Sequence, residues 1–355
     1  MNLQILQKLL LPMFRSSRFD KEIHNMNKLI RRSISYLICT MLLSLSITGC
    51  GKAGSGSVSG NGTKILMTLH DTDDSFLNTL ADAIVAKGNE IGATIDVVYS
   101  QKDTEVQMQQ IANAASEGYD AIICRLCDTS TALQMENAAG NLPIVFINNE
   151  PESDYLKGDK YVYVGSYEQD AGEFQADYIW SGLGKPPALN VVIMVGEKMH
   201  AAAPKRTNAV KYFFLDNKVD VNFVFVDNGD WVEDVTYDKL NIFKKTGQSF
   251  DCIICNNDNM AMGAIKWMKE NGYDTHKLLV AGIDATDDGC AAVKSGDLYM
   301  TVLQDTVGQG NAAVQGAVTL AKGGSVSSVS GASEDHKYIW VPFVPITAQN
   351  VYKYK

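Results

Sequence analysis

The chain has 355 residues, of which 46% are hydrophobic and 20% are charged. This composition is that of globular proteins, which excludes disorder over most of the length, and the length is enough for two domains. Residues 1–49 hold seven of the 31 basic side chains and two of the 41 acidic ones, so the remainder carries a net charge of −15. Such an acidic body repels phosphate backbones and anionic lipids. Nucleic acid is therefore disfavoured as a partner, and a neutral or cationic small ligand is favoured.

The N-terminal segment has the pattern of a secretory signal. Two arginines at 31 and 32 precede the uncharged run 33–47, which is too short for a comfortable membrane-spanning helix. Residues 47–50 read Ile-Thr-Gly-Cys, an order that resembles a lipobox, in which the cysteine is diacylated and becomes the new N-terminus. We therefore predict a signal peptide over residues 1–49 and a lipid anchor at Cys50, on the extracytoplasmic face of the cell membrane. The alternative is an uncleaved signal anchor that ends in a buried cysteine.

Two details refine this prediction. A signal peptide of ordinary length begins at Met26, so we expect translation to start there. Residues 50–62 are rich in glycine and serine and have almost no apolar side chains. Such a segment cannot bury a core, so it predicts a flexible tether between the lipid and the folded module.

From residue 63 onward, short apolar runs alternate with stretches of helical period. The runs cover residues 64–69, 95–99, 121–124, 143–147, 161–164, 190–195, 222–226, 252–255, 278–283 and 299–303. The helical stretches cover residues 75–91, 104–117, 129–140, 167–182, 204–215, 231–246, 258–271, 285–295 and 307–321. Continuous apolar runs indicate strands buried on both faces, and repeated βα units predict a doubly wound α/β fold. The echo of Asp-Ala-Ile-Ile-Cys (120–124) in Asp-Cys-Ile-Ile-Cys (251–255) favours two similar lobes.

The same two runs bring cysteines into C-x-x-C spacing, Cys124 with Cys127 and Cys252 with Cys255. Two such pairs can mark a zinc site. However, residues three apart in a strand point to opposite faces, and buried cysteine is a common small core residue. We therefore interpret these cysteines as core residues, expect no metal, and treat Cys127 as a candidate free thiol.

Polar and aromatic residues cluster where the predicted strands end, which in such sheets is where ligands bind. The clusters are residues 70–76, 148–151, 196–200 with Arg206, 227–231, 256–258, Asp284 and 304–305. Aromatic rings can cover the C–H faces of a sugar, while Asp, Asn and Arg bond its hydroxyl rim. Each residue also has a structural interpretation: Asp74 or Ser75, Asp258 and Asp284 as helix caps, Trp231 as core, and His200 as a loop residue.

Several stretches resemble the bacterial galactose/glucose-binding protein family, within the type I periplasmic binding proteins. They are DDSF (73–76), VFINNEP (145–151), YVGS (163–166), NNDNMAMGA (256–264), GIDA (282–285), VKSG (293–296) and WVPFV (340–344), with His200, Arg206-Thr207 and Trp231 between them. The resemblance implies hydrogen bonds to the sugar from Asp74, Asn148, His200, Arg206, Asn257 and Asp284. It also implies stacking by Phe76 and Trp231, and a rim contact from Gln304.

This sequence departs from that family at two site positions and at its calcium loop. Ala202 stands where the family has Asp, and Gln304 stands where it has Asn. Glucose or galactose is the first expected ligand, and another hexose, a pentose or another polyol is the alternative. The stretch that matches the family's calcium loop, residues 181–189, has no carboxylate. Calcium takes about six or more oxygen ligands, so we expect no structural calcium.

The resemblance also implies the architecture and the partners. The N-terminal lobe comprises residues 63–165 and 305–340, the C-terminal lobe comprises 166–304 and 341–355, and three hinge segments join them. The lobes close on the ligand, and the closed form delivers it to an ABC-type permease. We expect a monomer without cofactors, for which a chemosensory role is compatible with transport.

Two other classes share parts of this pattern. An enzyme would need a nucleophile–base pair or a nucleotide-binding glycine motif, and neither emerges from the spacing. A transcription regulator of the lactose-repressor type would need a DNA-binding headpiece before residue 63, where the signal segment stands. We therefore predict a binding protein and not an enzyme.

Overall fold

The computed structural model describes residues 59–60, 62–71 and 75–354. The predicted anchor at Cys50, the start at Met26, most of the tether and Asp74 lie outside these residues. Among the described residues, no helix has both the length and the apolar character needed to cross a membrane.

The described chain forms βα units in the predicted order. The first series is β1 (Lys64–Leu69), α1 (Ser75–Ile91), β2 (Thr94–Tyr99), α2 (Thr104–Ala114), β3 (Ala121–Cys124), α3 (Ala132–Ala139), β4 (Ile144–Ile147) and β5 (Tyr161–Gly165). The second is α4 (Glu168–Gly182), β6 (Ala188–Val195), α5 (Ala202–Asp216), β7 (Asp220–Asn228), α6 (Glu233–Lys244), β8 (Cys252–Cys255), α7 (Asp258–Glu270), β9 (Leu279–Ala281), α8 (Asp287–Ser295) and β10 (Met300–Leu303). The chain then adds α9 (Thr306–Ala321), β11 (Tyr338–Trp340) and β12 (Val344–Thr347).

These strands form two six-stranded sheets. The first has the order β2-β1-β3-β4-β5-β11 and is parallel throughout. The second has the order β7-β6-β8-β9-β10-β12, in which only β12 runs antiparallel. Each sheet carries a hydrophobic cluster on both faces, as continuous Val, Ile and Leu runs require. The predicted two-lobed α/β fold is therefore confirmed.

The chain crosses between the two lobes three times. It leaves the first sheet after β5, because α4 packs in the core of the second sheet. It returns after β10, because α9 packs beside α1 on the first sheet. It crosses again between β11 and β12. Three crossings allow the lobes to rotate about a hinge without unfolding either core.

The repeated Asp-x-Ile-Ile-Cys step performs the same structural task in both lobes. In the first lobe, Asp120 Oδ2 accepts from Lys64 N at 2.8 Å. In the second, Asp251 Oδ2 accepts from Asn190 N at 2.7 Å. Each aspartate precedes a fully buried strand and bonds the backbone of the neighbouring first strand of its lobe. The repeated sequence therefore corresponds to the same hydrogen bond from aspartate side chain to neighbouring strand in both lobes.

Candidate ligand-binding cleft

The carboxyl ends of the two sheets border one cleft. All the predicted site residues that the structure describes line it: Phe76, Asn148, His200, Arg206, Trp231, Asn257, Asp284 and Gln304, and with them Asn259, which was not predicted. They come from separate loops and helix starts of both lobes, so only the tertiary fold brings them together. We call this space the inner cleft.

Asn148 and His200 contact each other across the inner cleft. His200 Nδ1 accepts from the Ala202 backbone at 3.2 Å, so its Nε2 carries the proton and donates to Asn148 Oδ1 at 3.0 Å. Burial, with Arg125 and Arg206 nearby, holds the pKa of His200 well below its usual value, so the ring is neutral. Asn148 Nδ2 has no hydrogen-bond partner in the part of the chain that the structure describes. The pair therefore presents an amide donor to the cleft.

Two further contacts join the lobes beside this pair. Asn149 Oδ1 accepts from the Ala201 backbone at 3.1 Å, and Lys205 pairs with Glu150 at 2.6 Å. All three contacts link the loop after β4 to the start of α5. In this closed arrangement the inner cleft has a cavity volume of about 30 Å³. That is roughly the volume of one water molecule, so a ring-sized ligand requires the lobes to lie further apart than they do here, both to enter and to be held.

Arg206 organises the C-terminal face of the cleft. Its guanidinium donates to Glu168 Oε2 at 2.6 Å, to the Asn256 carbonyl at 2.7 Å and to Gln304 Oε1 at 2.7 Å. Burial alone would lower the pKa of Arg206, but the carboxylates of Glu168 and Asp284 raise it overall. Its charge is therefore permanent, and its orientation is set by three acceptors.

Sequence reasoning missed two residues that support this site. Glu168 is 2% exposed and pairs with Arg206, but an acidic residue in a helix's first turn is so common that it gave no signal. Arg125 is also 2% exposed and donates from Nε to Asn148 Oδ1 at 3.2 Å. A single charged residue directly after the buried strand β3 was the available signal for Arg125.

Trp231 stands at the edge of the inner cleft. Its ring lies 5.2 Å from that of His200, edge to face, and the Arg206 guanidinium lies 5.8 Å from it. The indole also covers Gly196, where a Cβ atom would lie 2.1 Å from Trp231 Cη2. Only glycine at 196 allows this approach, so the ring position depends on the end of β6.

Several cleft residues have unusual backbone conformations. Asn148, Trp231 and Asp284 of the inner cleft, with Asp230 and Ala285 beside them in the chain, all have positive φ angles, between 51° and 115°. A non-glycine residue held there costs about 1–3 kcal/mol, and such residues concentrate at functional sites. The strain at these strand ends favours a binding role over a purely structural one.

The alternative interpretation of two aspartates as helix caps is wrong. Asn257 is the N-cap of α7 and accepts from Met260 N, whereas Asp258 is fully buried and accepts from Thr301 and Thr286. Thr286, not Asp284, caps α8. Burial raises the pKa of Asp258 to about 7. Asp284 is thereby left to face the cleft, while Asn257 serves as a cap and also lines it.

Three of the four cysteines in C-x-x-C spacing are core residues, as predicted. Cys124, Cys252 and Cys255 are buried and free, and Cys127 is half-buried with its Sγ 3.1 Å from Ser100 Oγ. Among the described residues, no group of three or more His, Cys, Asp or Glu side chains is placed to hold a metal ion. The expected absence of calcium stays a prediction.

Comparison with known proteins identifies the family. The model of the periplasmic binding protein domain matches residues 65–325. A putative rhizopine-binding protein of Rhizobium meliloti is 31% identical over 80% of this chain and 89% of that protein. The D-galactose/methyl-galactoside binding periplasmic protein of Haemophilus influenzae is 28% identical over 81% of this chain and 90% of that protein. An ABC transporter solute binding protein from Bacillus halodurans with bound myo-inositol is 28% identical, with a TM-score of 0.72 over 84% of this chain and 98% of that one.

Proposed function

Because this chain belongs to the periplasmic binding protein domain family, we propose that its inner cleft binds one neutral cyclic polyol. The relatives of that family described above are extracytoplasmic sugar-binding proteins of ABC transporters and not enzymes. The observation that carries the proposal is the convergence of eight predicted side chains on one cleft between the two sheets. Donors and acceptors in fixed orientation suit a hydroxyl rim, and Phe76 and Trp231 suit its C–H faces.

Glucose or galactose is the first candidate ligand, because the hydrogen-bonding and stacking residues of that family's pattern recur here apart from Ala202 and Gln304. Myo-inositol is the second, and a specific observation favours it. This chain departs from the pattern of the galactose family at Ala202 and Gln304. The solute binding protein whose structure holds myo-inositol is 28% identical to this chain, which equals the identity of the galactose-binding relative.

Binding and release follow from the hinge. The open form admits the ligand, and the contacts of the loop after β4 with the start of α5 form on closure. Ligand contacts made only in the closed form shift the population towards it. The closed form then docks on an ABC permease, and the proposed lipid at Cys50 keeps the protein at the membrane. We expect a monomer with the lobe boundaries given above.

A ligand screen on the full chain in detergent tests this proposal. D-glucose, D-galactose, D-ribose, D-allose, xylitol and myo-inositol are compared by thermal shift and calorimetry. A ligand at 100 times its Kd stabilises the fold by about 2.7 kcal/mol. A response to one six-membered ring is expected, and no response to any of the six would contradict the polyol assignment.

The anchor is tested separately in cells. Labelling with a palmitate analogue should mark the chain, and Cys50→Ser should abolish the label. Label that survives this substitution would place the lipid elsewhere.

A further inference from the structure

The fully buried carboxylate of Asp258 is bonded to the segment that follows Asp284. Its Oδ1 accepts from Thr301 Oγ1 at 2.7 Å, and its Oδ2 accepts from the Thr286 backbone at 2.9 Å and from Thr286 Oγ1 at 3.1 Å. Thr301 Oγ1 in turn accepts from the Ala285 backbone at 3.1 Å. One carboxylate therefore fixes the two residues directly after Asp284, and it fixes the first of them through the Thr301 hydroxyl.

The chain leaves room for this carboxylate by placing glycine on two sides of it. A Cβ atom on Gly282 would lie 2.2 Å from Asp258 Oδ1, and one on Gly289 would lie 2.1 Å from Oδ2. Burial of a carboxylate is costly unless hydrogen bonds compensate it, and three donors do so here. An apolar residue would fill this space without that cost, but it would supply none of the acceptors.

The bonds of Asp258 connect strand ends instead of capping a helix. Asn257 already caps α7, because its side chain accepts from Met260 N at 3.0 Å. Asp258 joins the start of α7 to β10 and to the loop before α8. These are the three places from which Asn257, Gln304 and Asp284 reach the inner cleft. Asp258 therefore links the parts of the second lobe that carry three of its cleft residues.

The backbone at Asp284 has to be held from both sides. Asp284 and Ala285 have φ angles of 115° and 52°. Non-glycine residues persist in such conformations only where the surrounding structure fixes them. On the amino side, Asp284 N donates to the Val302 carbonyl at 2.7 Å. On the carboxyl side, the bonds of Ala285 and Thr286 both lead to Asp258.

We propose that Asp258 is a positioning residue, which holds Asp284 towards the ligand through Thr301 and Thr286. This inference rests on the proposed function, in which Asp284 bonds a hydroxyl group of the ligand. It adds a determinant of affinity that acts without touching the ligand. Loss of the Thr301 hydroxyl should let the backbone at Asp284 relax from its strained conformation and turn the carboxylate away from the ligand.

The test separates the shape of Thr301 from its hydroxyl group. Thr301→Val keeps the shape and removes the hydroxyl, whereas Thr301→Ser keeps the hydroxyl and removes a methyl group. Calorimetry uses the full chain in detergent and whichever of D-glucose, D-galactose, D-ribose, D-allose, xylitol and myo-inositol the unaltered chain binds most tightly. Thr301→Val should lower the affinity about tenfold or more, and Thr301→Ser should keep it within about threefold. A packing role predicts the reverse order.

Thr275→Val is the matched control. Thr275 is also buried in the second lobe, and its hydroxyl donates to Asp297 Oδ1 at 3.1 Å. Thr275 precedes β9 and Asp297 precedes β10, so both lie at the ends of the strands opposite the cleft. Thr275→Val should therefore lose stability in urea unfolding but keep its affinity. Hydrogen exchange is the second measurement: a peptide over residues 282–288 should exchange faster in Thr301→Val than in Thr275→Val.

A second pair of variants serves if Thr301→Val does not fold. Thr286→Ala removes one hydroxyl donor to Asp258 at a half-buried position, and Thr286→Ser retains that donor. Thr286→Ala should lower ligand affinity about threefold or more, whereas Thr286→Ser should leave it as it is.

The outcomes separate this inference from the proposed function. If the unaltered chain binds a ligand and folded Thr301→Val binds it as tightly, the positioning role is overturned and the proposed function stands. The same holds for Thr286→Ala where Thr301→Val does not fold. Equal losses in Thr301→Val and Thr301→Ser would also overturn the inference, because the methyl group would then be responsible. No binding of any of the six ligands by the unaltered chain would overturn both.

Discussion

The two lobes begin from the same strand device but present different chemistry to the cleft. Asp120 and Asp251 directly precede β3 and β8, which are both completely buried. Each aspartate accepts from a backbone N–H of the neighbouring strand, β1 or β6. Beyond β3 stands Arg125, which bonds Asn148. Beyond β8, the backbone carbonyl of Asn256 accepts from Arg206, and Asn257 caps α7. The common frame positions the ends of the strands, and the loops beyond them determine which groups face the ligand.

Each face of the cleft contains one buried arginine, and the two are held differently. Arg206 bonds the carboxylate of Glu168 and lines the inner cleft directly. Arg125 donates to an amide oxygen and to a backbone carbonyl, and acts on the cleft through Asn148. We therefore propose that the C-terminal lobe supplies the principal charged contact to the ligand and that the first lobe positions an amide opposite it. The following substitutions test this division.

The largest effect is expected for Arg206→Met. It leaves Glu168 buried without its partner, which costs about 3–5 kcal/mol of unfolding free energy, and it removes the principal donor to the ligand. Urea unfolding and calorimetry measure the two effects. The double variant with Glu168→Gln should recover most of the stability but no binding. Arg125→Met is the comparison and should weaken binding without abolishing it. Equal loss of binding in both single arginine variants would contradict the division between the lobes.

Sequence alone predicts the strands of the two sheets better than the side-chain contacts in the cleft. Ten of the twelve strands that the structure describes lie in recognisable apolar runs, whereas β11 and β12 are partly exposed edge strands and β12 contains a proline. Isolated polar residues such as Glu168 and Asn259 acquire their role only from tertiary contacts. Adjacent residues that can both cap a helix, such as Asn257 and Asp258, are not distinguished by propensity. The strand ends are predictable because buried parallel strands need long apolar runs, and the contacts beyond them are not.

The second prediction concerns the aromatic residues of the two faces. Phe76 belongs to the core of the first lobe, whereas Trp231 lies at the cleft edge on a strained backbone. Trp231→Ala should therefore lower ligand affinity by about 2–3 kcal/mol, roughly 30- to 150-fold, in addition to the stability lost where the indole packs against the core of the second lobe. Calorimetry with thermal unfolding measures both. Trp180→Ala, which removes a half-buried indole that donates to Pro186, should instead cost stability and preserve affinity. Affinity that survives Trp231→Ala would remove the stacking role.

The third prediction concerns the departure at Gln304. Shortening this side chain to Asn withdraws its oxygen from Arg206, which it meets at 2.7 Å, so ligand affinity should fall about tenfold, which is about 1.4 kcal/mol. Gln175→Asn is the matched control, because Gln175 is equally buried in the same lobe but bonds the carbonyls of Cys255 and Gly282. The control should lose stability and keep its affinity. A gain in D-galactose affinity in Gln304→Asn would show instead that Gln excludes that sugar.

The smallest effect is expected from the repeated device itself. Asp120→Ala and Asp251→Ala each remove one acceptor from a backbone N–H, which costs about 1 kcal/mol of unfolding free energy. Because the two bonds are equivalent and lie at the amino ends of their strands, away from the cleft, the two costs should agree and ligand affinity should not change. Urea unfolding of both variants, with calorimetry as the second measurement, decides this. If one variant loses ligand affinity, the strand that follows the substituted aspartate also sets the position of the loop at its carboxyl end. In that lobe the pairing of the strands then influences the cleft. If neither does, the loops beyond the shared strands hold their positions through their own contacts, chiefly those of Arg125 and Arg206.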